Sequence, residues 1–164
     1  MTRTPYPRQA TSRMCFVCGR ENPCGLHLHF YEDPAQGLVW SELVLADMYQ
    51  GYPGIAHGGI LATILDEVAG RALSVGQPEE VFWVTARLEV EYRQPTPLGV
   101  TLKAVGWVLE RRSRSARCAA EIRLPDGTVT ARAEALIVRP RPEVAQTWEV
   151  ARQVWRVETA TNED

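Results

Sequence analysis

The chain contains no apolar run approaching the roughly 20 residues that a membrane-spanning helix needs. Its opening, Met1-Thr2-Arg3-Thr4-Pro5-Tyr6-Pro7, lacks the apolar stretch of a secretory signal. Neither sign of charge prevails, since 18 Lys and Arg face 20 Asp and Glu, so no global field would draw the protein onto nucleic acid or an anionic bilayer. Neither is expected as a partner, and the cytoplasm is the expected location. Internal repeats and low-complexity segments are also missing. What remains is an apolar fraction of 45% with aromatic residues spread along 164 residues, enough for one folded domain with a sizeable core that needs no disulfide.

Three of the four cysteines crowd together as Cys15-x2-Cys18-x5-Cys24, and Cys118 stands alone in an expected strand. The cluster has two readings. A structural zinc site takes four Cys or His ligands, and His27 or His29 would complete the set. Alternatively, reduced cysteines behave as small buried hydrophobes in a turn-rich segment.

Residues 1–14 mix Pro, Arg, Thr and Ser without periodicity and read as a flexible or loosely docked arm. From Gly25 onward Leu26, Leu28 and Phe30 alternate, Pro34-Ala35-Gln36-Gly37 makes a turn, and Leu38, Trp40, Leu43 and Leu45 follow in a second strand, giving a hairpin. Between Gly58 and Val75 the period changes to that of a helix. At about 100° per residue, Ile60, Leu61, Ile64, Leu65, Val68, Ala69 and Ala72 fill one broad apolar arc, so this helix is mostly buried. Arg71 falls inside the arc and must reach out at an end or find a partner.

Strands follow. Val84, Ala86, Leu88, Val90 and Tyr92 alternate with polar residues until Gln94-Pro95-Thr96-Pro97, which puts Thr85 on the face opposite Leu88. The apolar parity changes between Val100, Leu102, Ala104 and Val105, Trp107, Leu109, which predicts a bulge at residues 104–106. Ala116, Cys118, Ala120, Ile122 and Leu124 lead through an Asp126-Gly127 turn to Val129, Ala131, Ala133, Ala135 and Ile137. Inward-facing alanines let a bulky element approach closely, and the long helix is the candidate. The expected fold is therefore α+β, an antiparallel sheet of five to six strands wrapped around one central helix. Val144, Trp148, Ala151 and Trp155 predict an amphipathic helix in the tail. The divisions are a 1–14 arm, a 15–140 domain and a 141–164 tail.

Chemistry concentrates in Gln50-Gly51-Tyr52-Pro53-Gly54-Ile55-Ala56-His57-Gly58-Gly59 and the helix that follows. A helix start presents unpaired N–H groups and partial positive charge, and Gly58 and Gly59 allow close approach of a ligand carbonyl. Asp66 shares a polar, small-residue sector with Gly59, Thr63 and Gly70. A carboxylate in a mostly buried helix is costly unless paired or functional. His57 and Asp66 are about 13 Å apart along the axis and on opposite sides. They can meet only if a two-fold axis brings a second copy's helix alongside. The structural reading of the same residues is a tight loop-to-helix junction and an Asp66–Arg71 ion pair.

His57-Gly58-Gly59 with Leu65-Asp66-Glu67 resembles the hotdog-fold thioesterases of the phenylacetyl-CoA thioesterase type. Cys15-Phe16-Val17-Cys18-Gly19, Asn22-Pro23, Gly25-Leu26 and Tyr92-Arg93-Gln94-Pro95 extend the resemblance over about residues 15–138. It implies hydrolysis of an aromatic or medium-chain acyl-CoA to acid and CoA in a homodimer or a tetramer of dimers, with CoA as part of the substrate and neither cofactor nor metal. It also implies roles: His57 and Gly59, with Gly58, polarise the carbonyl, Asp66 acts as general base or nucleophile, and Thr85 orients water. Gly51 replaces the asparagine of many relatives, which leaves adjacent Gln50 as the amide that orients water or bonds the thioester oxygen. Glu67 points about 100° from Asp66 and ranks second as base. Arg111, Arg112 and Arg114, with Arg117, form a candidate phosphate clamp for CoA or else a solvated turn. The alternatives are a non-catalytic acyl-CoA-binding hotdog protein and a small metal-binding interaction protein. A hotdog hydratase fits less well, because His27 and His29 lie in the first expected strand.

Overall fold

The computed structural model describes residues 6–77, 82–153 and 155–157. Six strands, β1 (Tyr31–Asp33), β2 (Leu38–Val44), β3 (Val84–Tyr92), β4 (Thr101–Arg111), β5 (Ser115–Arg123) and β6 (Val129–Val138), form one sheet in the order β1-β2-β4-β5-β6-β3. Every neighbouring pair is antiparallel. The helix α1 (Gly58–Arg71) crosses between β2 and β3 in sequence, and α2 (Pro142–Arg152) follows β6. The chain is an α+β protein with a sheet wrapped around one long helix. None of its helices is long and apolar enough to cross a membrane, among the described residues.

The helix is seated by composition on both sides. Leu61, Ile64, Leu65, Val68 and Ala69 of α1 are buried, and each large aliphatic side chain removed from water contributes roughly 1.5–3 kcal/mol. Opposite them Ala116, Cys118 and Ala120 of β5 and Ala131, Ala133 and Ala135 of β6 are buried and small. The approach is tight at Gly106 of β4, where a Cβ would lie 2.6 Å from the Val68 carbonyl oxygen. Only glycine leaves room for the helix backbone there.

Three local expectations need correction. Residues 104–106 carry no bulge, for β2 pairs with β4 without interruption from Leu38↔Trp107 to Val44↔Thr101. The register shift lies between Val108 and Glu110. Parity is in fact constant: Leu102, Ala104 and Gly106 face the helix, while Val105 and Trp107 cover the outer face beside Trp40 and Leu38. The first strand is also shorter than alternation suggests. Leu26 and Leu28 donate their N–H groups to Phe16 and Val17 carbonyls, and the Phe30 carbonyl accepts from Gln9 N–H, so this stretch serves the cysteine turn and the N-terminal segment instead of β2. Third, the inward residues of β2 are Val39, Ser41 and Leu43, with Trp40 stacked against Tyr31 on the other side at 4.9 Å.

Both terminal segments touch the core. Gln9 and Thr11 are buried, and Thr11 exchanges backbone hydrogen bonds with Arg156. Of the apolar stripe expected in the tail, Trp148 meets Phe82 edge-on at 5.8 Å and Trp155 packs against the core. Val144 is exposed, and the Ala151 side chain lies outside the described residues.

Candidate active site

The start of α1 is fixed by His57. Its backbone is extended, and its Nδ1 accepts the Gly59 N–H at 3.0 Å, making it the N-cap. A neutral imidazole that accepts at Nδ1 carries its proton on Nε2. His57 therefore presents an N–H donor outward from an exposed ring. The same bond occupies the Gly59 amide, while Gly58 heads the helix where no intrahelical partner exists for its N–H. Gly58 is also where the Tyr92 ring approaches: a Cβ there would lie 3.3 Å from Tyr92 Oη, and that hydroxyl donates to the Gly58 carbonyl at 2.7 Å. The preceding loop is held by Gln50, whose Oε1 accepts the Gly54 N–H at 2.8 Å and whose amide nitrogen keeps its donors.

Asp66 lies further along the helix and is half-buried. Thr85 Oγ1 donates to Asp66 Oδ1 at 2.7 Å. Alternation placed Thr85 on the face opposite Leu88, and the structure reverses this. The register shift between Thr85 and Arg87 makes Ala86 an extra residue, so Thr85 pairs with buried Ile137 and Leu88 with buried Ala135, both on the helix side.

Asp66 and Thr85 line a cavity of about 430 Å³ together with Glu67, Gly70, Trp83 and Trp155. A larger hollow of about 580 Å³ lies over the outer face of the sheet, between Trp107, Leu109 and Arg132. Three of its carboxylates are paired, Glu91 with Arg132, Glu121 with Arg123 and Glu134 with Arg117, each at 2.6 Å, and it is remote from His57 and Asp66. We take the smaller cavity as the site.

The carboxylate next to Asp66 does something different. Glu67 Oε1 accepts from Arg71 Nε at 2.8 Å, and Arg71 is only 7% exposed. Burial works against that guanidinium's charge, but Glu67 and Cys18 outweigh it and hold its pKa above the ordinary value. The Arg71 head lies 4.2 Å from the Phe30 ring centre, and its Nη1 donates to the Ala10 carbonyl at 3.0 Å. Arg71 thus finds its partner in Glu67, not in Asp66.

Of the candidate phosphate residues, Arg111 lies 5.7 Å from the ring of Trp83, the cavity residue. Arg112 is exposed and paired with Glu110 at 2.8 Å, Arg117 with Glu134 at 2.6 Å, and Arg114 is exposed. Sequence reasoning missed Trp83 and Arg139, whose guanidinium lies 5.0 Å from the same ring. Nothing local marks either residue, because they are 56 positions apart in sequence and meet only where β3 and β6 run side by side.

Within one chain, then, Asp66 meets Thr85 and Glu67 meets Arg71, while His57 stays at the far end of the helix from Asp66. A six-stranded antiparallel sheet around a helix capped by His-Gly-Gly and carrying an acid further along defines a hotdog-fold protein. The model of the thioesterase superfamily matches residues 53–131. The chain is 46% identical over 50 residues to acyl-coenzyme A thioesterase THEM4 of Rattus norvegicus, covering 30% of this chain and 20% of that protein. It is 33% identical over 97 residues to the Mus musculus THEM4, covering 57% and 40%. A crystal structure of a thioesterase superfamily protein superposes with TM-score 0.69 at 34% identity, covering 77% of this chain and 60% of that one. The E. coli PaaI protein from the phenylacetic acid degradation operon shares the fold at TM-score 0.62 and 16% identity, covering 71% and 81%. The chain has the hotdog fold and resembles the thioesterase superfamily over residues 53–131; its matches span 20% and 40% of the lengths of the two curated relatives.

Proposed function

We propose that this protein hydrolyses the thioester of an aromatic or medium-chain acyl-CoA, in a cytoplasmic homodimer or a tetramer of dimers whose active sites each combine His57 of one chain with Asp66 of the other. The observation that carries this reading is the Thr85–Asp66 hydrogen bond of 2.7 Å at the wall of the cavity. It leaves Asp66 Oδ2 free to take a proton from water as the water attacks the carbonyl carbon. A direct attack by the same carboxylate would instead give an acyl-enzyme anhydride. The His57 Nε2–H and the Gly58 N–H at the positive helix end supply hydrogen bonds to the oxyanion, which then collapses to expel the CoA thiolate.

Gly59 supports this indirectly, by fixing the His57 tautomer through its own amide. Gln50 has its amide N–H groups left for the thioester oxygen or the water. Glu67 is committed to Arg71 and is not the base. Arg111, joined by Arg139 across Trp83, suits a CoA phosphate better than Arg112, which Glu110 neutralises.

Two considerations support the dimer. His57 and Asp66 of one helix are about 13 Å apart along its axis. In addition β3, of nine residues, ends the sheet with no strand on its outer side among the described residues, an edge that a second copy would cover. The test is CoA release in a free-thiol assay over a panel of aromatic and straight-chain acyl-CoAs. Wild type releases CoA, and Asp66→Ala loses turnover while sedimenting as the same oligomer. Unchanged turnover in Asp66→Ala refutes the mechanism. Acyl-CoA binding without release by wild type would instead establish a non-catalytic binding protein.

A further inference from the structure

Behind the cavity wall lies a cluster that the hydrolytic site does not use. Sulfur atoms of Cys15 and Cys18 and a carboxylate oxygen of Glu67 all lie within 4.8 Å of one another. The two cysteines sit in a single turn closed by Gly19 N–H donating to the Cys15 carbonyl at 2.8 Å. Gly19 is obligatory in that turn, for a Cβ would come within 2.3 Å of the Cys15 carbonyl oxygen. Cys18 is 2% exposed, whereas Cys15 is half-buried and reachable.

A soft metal and a dithiol both suit two cysteines, and the charge around them decides. The third donor, Glu67, already accepts from the buried Arg71 at 2.8 Å. A divalent cation on this trio would sit against a guanidinium that cannot give up its proton. It would also be short of the four ligands of a closed zinc site, since Cys24 is exposed and neither it nor His27 or His29 belongs to the cluster. At Cys18 the same guanidinium favours the thiolate, although the bond to Cys15 and burial outweigh it there.

We propose that Cys15 and Cys18 form a redox-active dithiol, in which Cys15 is the attacking thiolate, Cys18 the resolving thiol and a hydroperoxide the oxidant. The Cys15 thiolate attacks the peroxide oxygen, giving a sulfenic acid and, from hydrogen peroxide, hydroxide that takes up a proton to become water. The Cys18 sulfur then displaces the sulfenic hydroxyl as a second water, closing the disulfide. Two electrons and two protons leave the dithiol, and peroxide is reduced to two waters. The division of labour has a physical basis. A hydrogen bond from the Cys18 thiol lowers the Cys15 pKa to about 7 against opposition from burial and Glu67, and the Val17 N–H points at the same sulfur at 3.3 Å. The bond to Cys15 and then burial push the Cys18 pKa up. Reduced, Cys15 offers its thiol to Glu67 Oε2 at 3.8 Å; the disulfide removes that donor from a residue lining the cavity.

The proposal does not rest on thioester hydrolysis, and its readouts are mass and thiol content. Full-length protein is treated with stoichiometric hydrogen peroxide, blocked with iodoacetamide and digested with trypsin. The peptide running from Met14 to Arg20 holds both cysteines and excludes Cys24. It should be lighter by two hydrogens than the dithiol, unalkylated, and restored by dithiothreitol. Cys24→Ser should behave alike, and Cys18→Ser should accumulate a dimedone-reactive sulfenic acid at Cys15. Alkylation of Cys15 in reduced protein should titrate with a midpoint near pH about 7. A Cys15–Cys24 disulfide, two alkylated cysteines after peroxide, or stoichiometric co-purifying zinc that shields the pair would each overturn it.

Discussion

Replacing Glu67 with Gln should destabilise the fold strongly although the residue is a carboxylate on a helix surface. Arg71, whose side chain is 8% exposed, would lose the carboxylate that hydrogen-bonds its guanidinium; Glu67 itself is 20% exposed. Breaking a buried pair from one side costs about 3–5 kcal/mol, because the remaining charge stays buried and uncompensated. Here the Ala10 carbonyl at 3.0 Å, Gln9 Oε1 at 3.4 Å and the Phe30 ring at 4.2 Å still face the guanidinium. The expected loss is therefore at the low end, about 3 kcal/mol. With a urea dependence of roughly 1–3 kcal/mol/M, the unfolding midpoint should fall by about 1–3 M. Adding Arg71→Met to Glu67→Gln should restore most of the loss, since it removes the stranded charge and leaves an apolar stem against Phe30. A midpoint within error of wild type for Glu67→Gln, or a double variant no better than the single, would refute the reasoning.

Two further substitutions probe the site and its seat. Thr85→Val keeps the shape and removes the donor to Asp66, so kcat for CoA release should fall about tenfold with a smaller change in KM, and an unchanged kcat would remove Thr85 from the mechanism. Gly106→Ala puts a methyl group 2.6 Å from the Val68 carbonyl oxygen, which should cost about 1–3 kcal/mol in urea unfolding as α1 is pushed off the sheet; undiminished stability would show that the helix backbone yields.

Much of this architecture is legible in the residues because period and size are local signals. The apolar arc from Leu61 to Ala69 marks the buried helix, and the alanines of β5 and β6 mark the surface that receives it. Parity counting failed where a single residue is out of register. Ala86 in β3 turned Thr85 from a supposed outer residue into the partner of Asp66. It failed again in β4, where Val105 and Trp107 are apolar because the outer face is also covered. Arg71 announced that it needed a partner, but the choice of Glu67 over Asp66 depends on which side of the helix meets the N-terminal segment and the cysteine turn. Trp83 and Arg139 left no trace at all, since their meeting is set by the return of β6 alongside β3. The His57 tautomer likewise came only from the direction of the Gly59 amide.

The central claim is that one active site draws on two chains. His57→Ala and Asp66→Asn, each inactive alone, are to be unfolded together in equal amounts, refolded and assayed for CoA release. Random pairing makes half of the dimers mixed, and each mixed dimer has one site with both His57 and Asp66 intact, so about a quarter of wild-type turnover should return. Turnover no higher than the sum of the separate variants, from mixtures shown to contain folded mixed dimers, would contradict a site shared between subunits.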